Sequence, residues 1–292
     1  MSQVKDFKNN VIIPYSYITP ALLFFGIIIL MPVITSLILS FYDFTGFDSN
    51  IFRKFIGFEN FKILFNDKYF LIALRNTFYF VAGSVVIQNA IALFLAIVIF
   101  FGNFKNSVII RTIIFFPAVL APVSISLAWR KILALDGVIN QILNIEFPWL
   151  SNIYIAIWLV VMVNIWQWAG YNLVIFYAGL QSIDIQVIEA ADVDGANWSG
   201  KIFRIVIPSL IPTIILNVIL TLIGAFRVFD IVYVLTRGGP VHNSEVLTTL
   251  MYWYTFASNG PNKMGVGSAV AFVMFLIMII FAILRIRFIK GK

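Results

Sequence analysis

The chain has 292 residues, of which 61% are hydrophobic and only 11% are charged. Soluble domains are about 45–50% apolar and about 25% charged, so this composition excludes an ordinary soluble protein and indicates one embedded in the lipid bilayer. The formal net charge of +7 arises from cations that are scattered or flank apolar runs, which indicates membrane flanks and argues against nucleic-acid binding. With no cysteine and a single histidine, His242, the chain excludes thiol chemistry and a histidine-cluster metal site.

Six apolar runs are long enough to cross the hydrocarbon core of a bilayer, which is about 30 Å thick. Pro32 is expected to kink the first run, and Pro117 and Pro122 to break the third, where the freed carbonyl groups need protein neighbours or a wet cavity. We therefore predict an all-α membrane protein with six transmembrane helices in a single domain, residues 1–292. The predicted spans cover residues 18–41, 72–101, 113–132, 153–180, 206–235 and 265–288.

The fourth predicted span has one polar and aromatic face, whose members lie at positions i, i+3, i+4, i+7 and i+8 of a helix. Polar side chains are costly in hydrocarbon, so this face should meet protein or water. Amides that bond hydroxyl groups, beside rings that stack on a pyranose, suit a sugar, whereas amides that join helices across a bundle account for the pattern equally well. The face consists of Asn164, Gln167, Trp168, Tyr171 and Asn172.

The loop of residues 182–205 follows the fourth span and is rich in acids. Ser182 or Asp184 can cap a short helix there, and Gly195 is expected to end it because glycine accepts a left-handed backbone. The loop is therefore predicted to form a short solvent-facing helix, a turn and a second segment that leads back into the membrane.

The fifth predicted span carries a face of mostly small residues, which either permit tight helix packing or leave room for a ligand. Arg227 and Asp230 lie three positions apart near the end of this span, and we predict that they form a buried or interfacial ion pair with a structural role, with contact to the substrate as the alternative. The small-residue face consists of Asn217, Thr221, Gly224, Ala225 and Val228.

Basic residues predict the orientation of the chain in the membrane. The segments assigned to the inner side, which are two loops and both termini, carry slightly more Lys and Arg than the outer loops, and the inner loops are shorter. The C-terminal segment carries no acid and four cations, Arg285, Arg287, Lys290 and Lys292. The positive-inside rule therefore favours a cytoplasmic location for both termini and for the loop of residues 182–205.

Two motifs lie around the fourth and fifth spans. The first is Glu189-Ala190-Ala191, then Gly195 and, nine residues later, Ile205-x-Ile207-Pro208; the second is Leu235-Thr236-x-Gly238-Gly239-Pro240. The first resembles the cytoplasmic coupling loop of permease subunits in bacterial binding-protein-dependent ABC importers, and the second resembles a segment of the maltose-type permeases among them. The resemblance implies the type I ABC importer permease architecture and transport of a sugar or oligosaccharide.

The resemblance also implies roles for particular residues. In the family, the coupling loop docks into a cleft on the ATP-hydrolysing subunit, and the substrate lies near mid-membrane. Helix geometry adds Asn164, Gln167, Trp168 and Asn172 to the substrate contacts that the alignment implies. The positions aligned with substrate contacts are Tyr171, Thr221, Gly224, Ala225 and Val228. The implied ATPase-coupling residues are Glu189, Ala190, Ala191, Asp194, Gly195, Ile205 and Pro208.

The family resemblance further implies an assembly in the bacterial cytoplasmic (inner) membrane. This chain would pair with a second homologous permease subunit, two ATP-binding subunits and an extracytoplasmic solute-binding protein, and the transporter would work by alternating access. Two alternatives remain open: an importer of glycerol-phosphate or a polyol within the same family, and an ATPase-independent secondary transporter, for which Asp230 is the candidate ion-coupling carboxylate.

The sequence does not predict an enzyme. Gly195-x4-Gly200-Lys201 imitates a phosphate-binding loop, but Ile202 stands where Ser or Thr should hold magnesium, and no strand precedes the motif. No nucleophile, base and acid are arranged together, so we predict no catalytic or metal-ligating residue. We expect this chain to bind no cofactor of its own, with ATP and Mg²⁺ held by the partner ATPase subunits.

Overall fold

The computed structural model describes residues 17–46, 54–102, 104–257 and 262–290, with side chains up to residue 283. The two chain ends, predicted to be cytoplasmic, and the side chains of the C-terminal cations lie outside the described residues. Every regular element in the described residues is helical. The helices are α1 (Tyr17–Leu39), α2 (Glu59–Asn66), α3 (Lys68–Phe101), α4 (Ser107–Val119), α5 (Pro122–Ile132), α6 (Val138–Leu143), α7 (Ala156–Gln181), α8 (Ile185–Val193), α9 (Trp198–Ser209), α10 (Ile211–Phe226), α11 (Asp230–Leu235), α12 (Leu247–Thr255) and α13 (Met264–Lys290).

Four of these helices, α1, α3, α7 and α13, are long and apolar enough to cross a membrane. Two further pairs of consecutive helices are long and apolar enough when each pair is taken together, but they are bent: α4 and α5 by 94°, and α9 and α10 by 67°. Counting each bent pair as one span gives the six that the sequence predicts.

The structure corrects the bounds of the two bent spans. The third span begins at Ser107, earlier than predicted, and its break falls at Leu120 and Ala121. Pro122 is the first residue of α5, where its missing N–H costs nothing, whereas Pro117 is accommodated inside α4. The helical region of the fifth predicted span begins earlier, because α9 already starts at Trp198 after the Asn197 cap. α10 ends at Phe226, and after a break α11 ends at Leu235, the predicted end of the span.

Residues 67–250 form one compact unit, with α7 as its central helix. Helices α3, α4 and α10 all pack directly on α7. The closest approach is at Gly170, where an added Cβ would lie 2.0 Å from the backbone oxygen of Ile114 on α4. Only glycine fits such a contact, because any side chain would have to displace backbone atoms. α7 therefore serves as the scaffold against which the other helices of the unit are placed.

The second compact unit contains residues up to 66 together with residues 251–292. In its described part, α13 packs on α1 and α2. Phe41, Phe61 and Phe272 form an aromatic cluster there, with ring centroids 5.4–5.8 Å apart. The Asn60 side chain donates 2.9 Å hydrogen bonds to the carbonyl oxygens of Ser40 and Tyr42, and so fixes the end of α1. Whether the whole chain acts as the single domain that the sequence suggests stays a prediction.

Candidate functional site

A cavity of about 350 Å³ lies within the unit of residues 67–250, between α3, α5, α7, α10 and α11. Its wall combines side-chain amides and hydroxyl groups with aromatic rings and two charged groups. The lining residues are Ser84, Gln88, Pro122, Asn164, Trp168, Tyr171, Asn172, Leu220, Thr221, Gly224, Ala225, Arg227, Val228, Phe229, Asp230 and Ile231.

The structure brings eight of the nine predicted substrate residues together at this cavity. α7 contributes Asn164, Trp168, Tyr171 and Asn172, and the lining residues Thr221, Gly224, Ala225 and Val228 come from α10 and the two residues that follow it. The rings of Trp168 and Tyr171 meet edge to face, with centroids 6.1 Å apart. The Tyr171 side chain is exposed, so its ring is free to contact a ligand. Their role as substrate contacts stays a prediction.

A buried hydrogen-bond network joins the helices at one wall of the cavity. The Asn172 amide nitrogen donates to the Thr221 hydroxyl at 2.9 Å and to the amide oxygen of Asn89 at 3.2 Å. The Asn217 side chain donates to the backbone oxygen of Asn172 at 3.1 Å. The amides thus do act as contacts between helices, one of the two interpretations that the sequence leaves open. Because Asn172 and Thr221 also line the cavity, the same groups are placed where a ligand would meet them.

A second polar contact lies on the α3 side of the cavity. The Asn164 amide nitrogen donates to the Ser84 hydroxyl at 3.0 Å and to the amide oxygen of Gln88 at 3.3 Å. Ser84 and Gln88 sit on a π turn that covers Gly83–Gln88, a distortion that often occurs at functional sites. Sequence reasoning did not include these two residues among the site residues, although their polarity inside an apolar span was a signal.

Gln167 is not part of the cavity wall, which corrects its prediction as a substrate residue. Its side chain is fully buried, and its amide nitrogen donates to the backbone oxygen of Leu120 at 3.2 Å. Leu120 lies at the break between α4 and α5, where no helical N–H is in place for that carbonyl group. Helical periodicity places Gln167 on the predicted face. Its amide instead hydrogen-bonds the free carbonyl group at the break between α4 and α5, which is a structural role.

Replacing Gln167 by methionine is expected to lower the free energy of unfolding by about 1 kcal/mol, the usual net contribution of one hydrogen bond. Ligand binding should stay unchanged, because the side chain does not reach the cavity. Thermal unfolding of the purified protein measures the first effect, and direct ligand binding measures the second. The matched variant Asn164→Met, which alters a lining residue, should weaken binding as well; equal losses of binding in both variants would contradict the assignment.

The predicted ion pair between Arg227 and Asp230 is absent. The ion pairs of the described residues are Lys62–Glu59, Lys201–Asp192 and His242–Glu245. α10 ends at Phe226 and α11 starts at Asp230, so the two residues are not on one helix turn, as the prediction requires. Both side chains are instead exposed and line the cavity.

The loop after α7 forms the short helix that the sequence predicts, α8. The Asp184 carboxylate caps it by accepting the backbone N–H of Gln186 at 3.0 Å. Gly195 follows the helix end with φ +73°, and its N–H donates to Asp192 O at 3.1 Å while Ala196 N–H donates to Ala191 O at 2.9 Å. These paired bonds define a Schellman motif, which needs a left-handed residue at the position of Gly195.

One ion pair connects the two halves of this loop, and a capping hydrogen bond orders the second half. The Lys201 ammonium group on α9 pairs with the Asp192 carboxylate on α8 at 2.5 Å, and Lys201 is mostly buried while Asp192 is exposed. The Asn197 side chain accepts the backbone N–H of Gly200 at 2.7 Å and caps α9. The ion pair therefore links α8 to α9. Sequence reasoning considered Lys201 only as part of a false phosphate-binding motif and did not predict this pair, because its partner lies nine residues away.

Most of the predicted coupling residues are accessible. Ala191 is an exception: it is 7% exposed, so its side chain faces its own fold and cannot be offered to a partner, which corrects its assignment as a contact residue. Ile205 is half-buried. The exposed members are Glu189, Ala190, Asp194, Gly195 and Pro208.

The surface of this loop is also unusually apolar. Val193 is 88% exposed, and Ile185, Trp198 and Phe203 are more than half exposed. Large side chains of this kind, grouped on one polar-rimmed loop, are typical of a protein interaction surface. The loop thus has the composition of a docking site for another protein.

Comparison with known proteins agrees with this geometry. The lactose transport system permease protein LacF of Rhizobium radiobacter is 32% identical over 275 residues, which are 92% of this chain and 91% of that protein. The probable starch degradation products transport system permease protein AmyD of Thermoanaerobacterium thermosulfurigenes is 31% identical over 287 residues, 97% of this chain and 96% of that protein. Both names describe permeases, which confirms the prediction that this chain is a transport component and not an enzyme.

A solved structure supports the same fold. It is that of a bacterial alginate ABC transporter in complex with an alginate pentasaccharide-bound periplasmic protein. One of its chains matches with a TM-score of 0.82 and 22% identity, covering 96% of this chain and 94% of that one. The likeness confirms the predicted all-α permease architecture.

Residues 10–290 match the family described as the binding-protein-dependent transport system inner membrane component. This match covers nearly the whole chain and disagrees with the alternative of an ATPase-independent transporter. The chain therefore belongs to this family and is a multi-pass permease subunit of an ABC importer.

Proposed function

We propose that this permease subunit forms half of the path by which a sugar or oligosaccharide enters the cell. The observation that carries the proposal is the cavity between α7 and α10, where amides and hydroxyl groups stand beside the rings of Trp168 and Tyr171. Hydroxyl-rich molecules need such donors and acceptors, and the flat C–H faces of a pyranose pack on aromatic rings. The names of LacF and AmyD, which refer to lactose and to starch degradation products, support a carbohydrate.

We also propose the composition of the assembly. This chain pairs with a second homologous permease, and two ATP-binding subunits dock on the cytoplasmic side, where both termini also lie. The exposed apolar side chains of the α8–α9 loop support this docking, because they would be buried by the partner. An extracytoplasmic solute-binding protein delivers the substrate from the other side. ATP and Mg²⁺ belong to the ATPase subunits.

The geometry suggests how ATP hydrolysis reaches the cavity. α8 follows directly after α7, and α9 leads into α10, so the loop adjoins both helices that build the cavity wall. The Lys201–Asp192 pair ties the two halves of the loop together. When the ATPase subunits close, a displacement of the loop would tilt α7 and α10 and change access to the cavity, which is alternating access by rigid-body movement.

The whole complex in proteoliposomes, together with its binding protein, provides the test. Saturable uptake of a labelled saccharide is expected only when both ATP and the binding protein are present. Lactose, maltotriose, glycerol 3-phosphate and sorbitol should be compared side by side, since the polyol and glycerol-phosphate alternatives differ in size and charge. Uptake that proceeds without ATP, or uptake of glycerol 3-phosphate with no saccharide transported, would refute the proposal.

A further inference from the structure

Two opposite charges face the cavity without neutralising each other. Arg227 ends α10 as its C-cap residue, and Asp230 is the first residue of α11. Within the described part of the chain, neither side chain makes an ion pair or a hydrogen bond, and both are exposed to the cavity. They are also the only charged groups among the residues described as lining it.

Such an arrangement in a membrane protein indicates a water-filled path or a ligand site. Charged side chains at membrane depth are rare and normally pair with each other or face a water-filled path for a substrate. The break after Phe226 removes the helical register that would let Arg227 and Asp230 pair. The backbone on either side is fixed: Arg227 N–H bonds Gly224 O at 3.2 Å, and Val228 O accepts the Thr248 hydroxyl. The two charges are thus held apart by ordered backbone.

We infer that Arg227 and Asp230 both bind one uncharged saccharide, and that Asp230 discriminates against anionic ones. A guanidinium group has only donors and can bond two neighbouring oxygens, whereas a carboxylate has only acceptors and can take up two hydroxyl protons. A vicinal diol offers both functions, so one sugar can satisfy both groups. This inference rests on the proposed function and specifies its substrate class.

The size and charge of the cavity explain the selectivity. In a space of about 350 Å³, a sugar that fills the cavity lies near both groups at once. The charges of Arg227 and Asp230 sum to zero. A neutral ligand therefore gains hydrogen bonds to two ionised groups and leaves the net charge of the site at zero. A uronate or a phosphate ester that fills the cavity would bring negative charge near the Asp230 carboxylate, and like charges repel.

Direct ligand binding to the complete importer in lipid nanodiscs, without the binding protein, tests the inference. Labelled maltotriose and lactose serve as neutral probes, and digalacturonate as the anionic probe. Asp230→Asn keeps the side-chain shape but removes the negative charge; it should weaken neutral binding about tenfold and should improve digalacturonate binding. Arg227→Gln should weaken neutral binding by a similar factor and worsen digalacturonate binding. The opposite response of the anionic probe would not follow from a general loss of structure.

The matched variants Lys131→Gln and Asp136→Asn remove one positive and one negative charge outside the cavity. They should leave the binding of both kinds of probe unchanged. Unchanged binding of both probes in Asp230→Asn and Arg227→Gln would overturn the inference while leaving the proposed function intact. Loss of co-purification with the second permease subunit in these variants would also overturn it, since the charges would then serve the subunit interface. A wild-type importer that binds neither neutral probe would overturn the proposed function and this inference together.

Discussion

Replacing Gly195 by proline is expected to leave the protein inserted in the membrane but to abolish ATP-driven uptake. Proline fixes φ near −65°, whereas Gly195 has φ +73°. Proline also lacks the N–H that Gly195 donates to Asp192 O at 3.1 Å. Asp194, with ψ 2°, would in addition stand in a conformation that a following proline disfavours. The end of α8 would therefore be rebuilt, and the surface offered to the ATPase subunits would be lost.

A matched variant separates backbone geometry from other effects. Nothing lies within 4 Å of a Cβ added at Gly195, so a side chain there meets no steric obstacle. Asparagine tolerates the left-handed region better than other non-glycine residues, so Gly195→Asn should retain most of the uptake. The measurements are the amount of protein in the membrane, the uptake rate and the ATPase rate with loaded binding protein. Normal uptake by Gly195→Pro would refute the coupling role of this loop.

Hydropathy and local signals predicted much of the fold. α1, α3, α7 and α13 appear within a few residues of their predicted bounds, because a long apolar run in lipid has few alternatives to a helix. The Asp184 cap and the left-handed Gly195 also follow from the chemistry of single residues. These features depend on neighbours along the chain, which is the information that a sequence carries directly.

The features that the sequence did not reveal depend on tertiary contacts. The break between α10 and α11 could not be predicted, because residues 227–229 contain neither proline nor glycine. As a result of this break, Arg227 and Asp230 do not form the predicted ion pair and both line the cavity. The orientation of Gln167 follows from a free carbonyl group on another helix, at Leu120. Ala191 is buried because α8 lies against its own fold, which periodicity over nine residues cannot specify. In each case the deciding partner is distant in sequence.

The helices that form the cavity are joined to the loop of residues 182–205, as the proposed coupling requires. The hydrogen bonds from Asn172 to Thr221 and from Asn217 to Asn172 O join α7 to α10. Such bonds inside a membrane contribute about 0.6 kcal/mol on average and up to about 1.7 kcal/mol, so several together hold the helices in register. Under the proposed mechanism, a movement of the loop would therefore act on α7 and α10 together.

The Gly224→Trp variant is expected to block the cavity and to reduce uptake by tenfold or more, since a loss of about 1.4 kcal/mol in ligand binding is a factor of ten. Gly224 lines the cavity on α10, and a Cβ added there has nothing within 4 Å, so the indole is expected to extend into the cavity and to occupy the proposed space of the substrate. The coupling loop is untouched, and basal ATP hydrolysis by the partner subunits should therefore continue.

The control for Gly224→Trp is a substitution of the neighbouring residue, Ile223. Ile223 is 40% exposed on α10 but does not line the cavity, so Ile223→Trp places the same bulky ring on the same helix outside the proposed path. Uptake by Ile223→Trp should stay close to wild type, and Gly224→Ala should fall between wild type and Gly224→Trp because a methyl group removes only part of the space. If Gly224→Trp transports as well as Ile223→Trp, the substrate does not pass through this cavity, and the translocation path must be sought on another surface of the subunit.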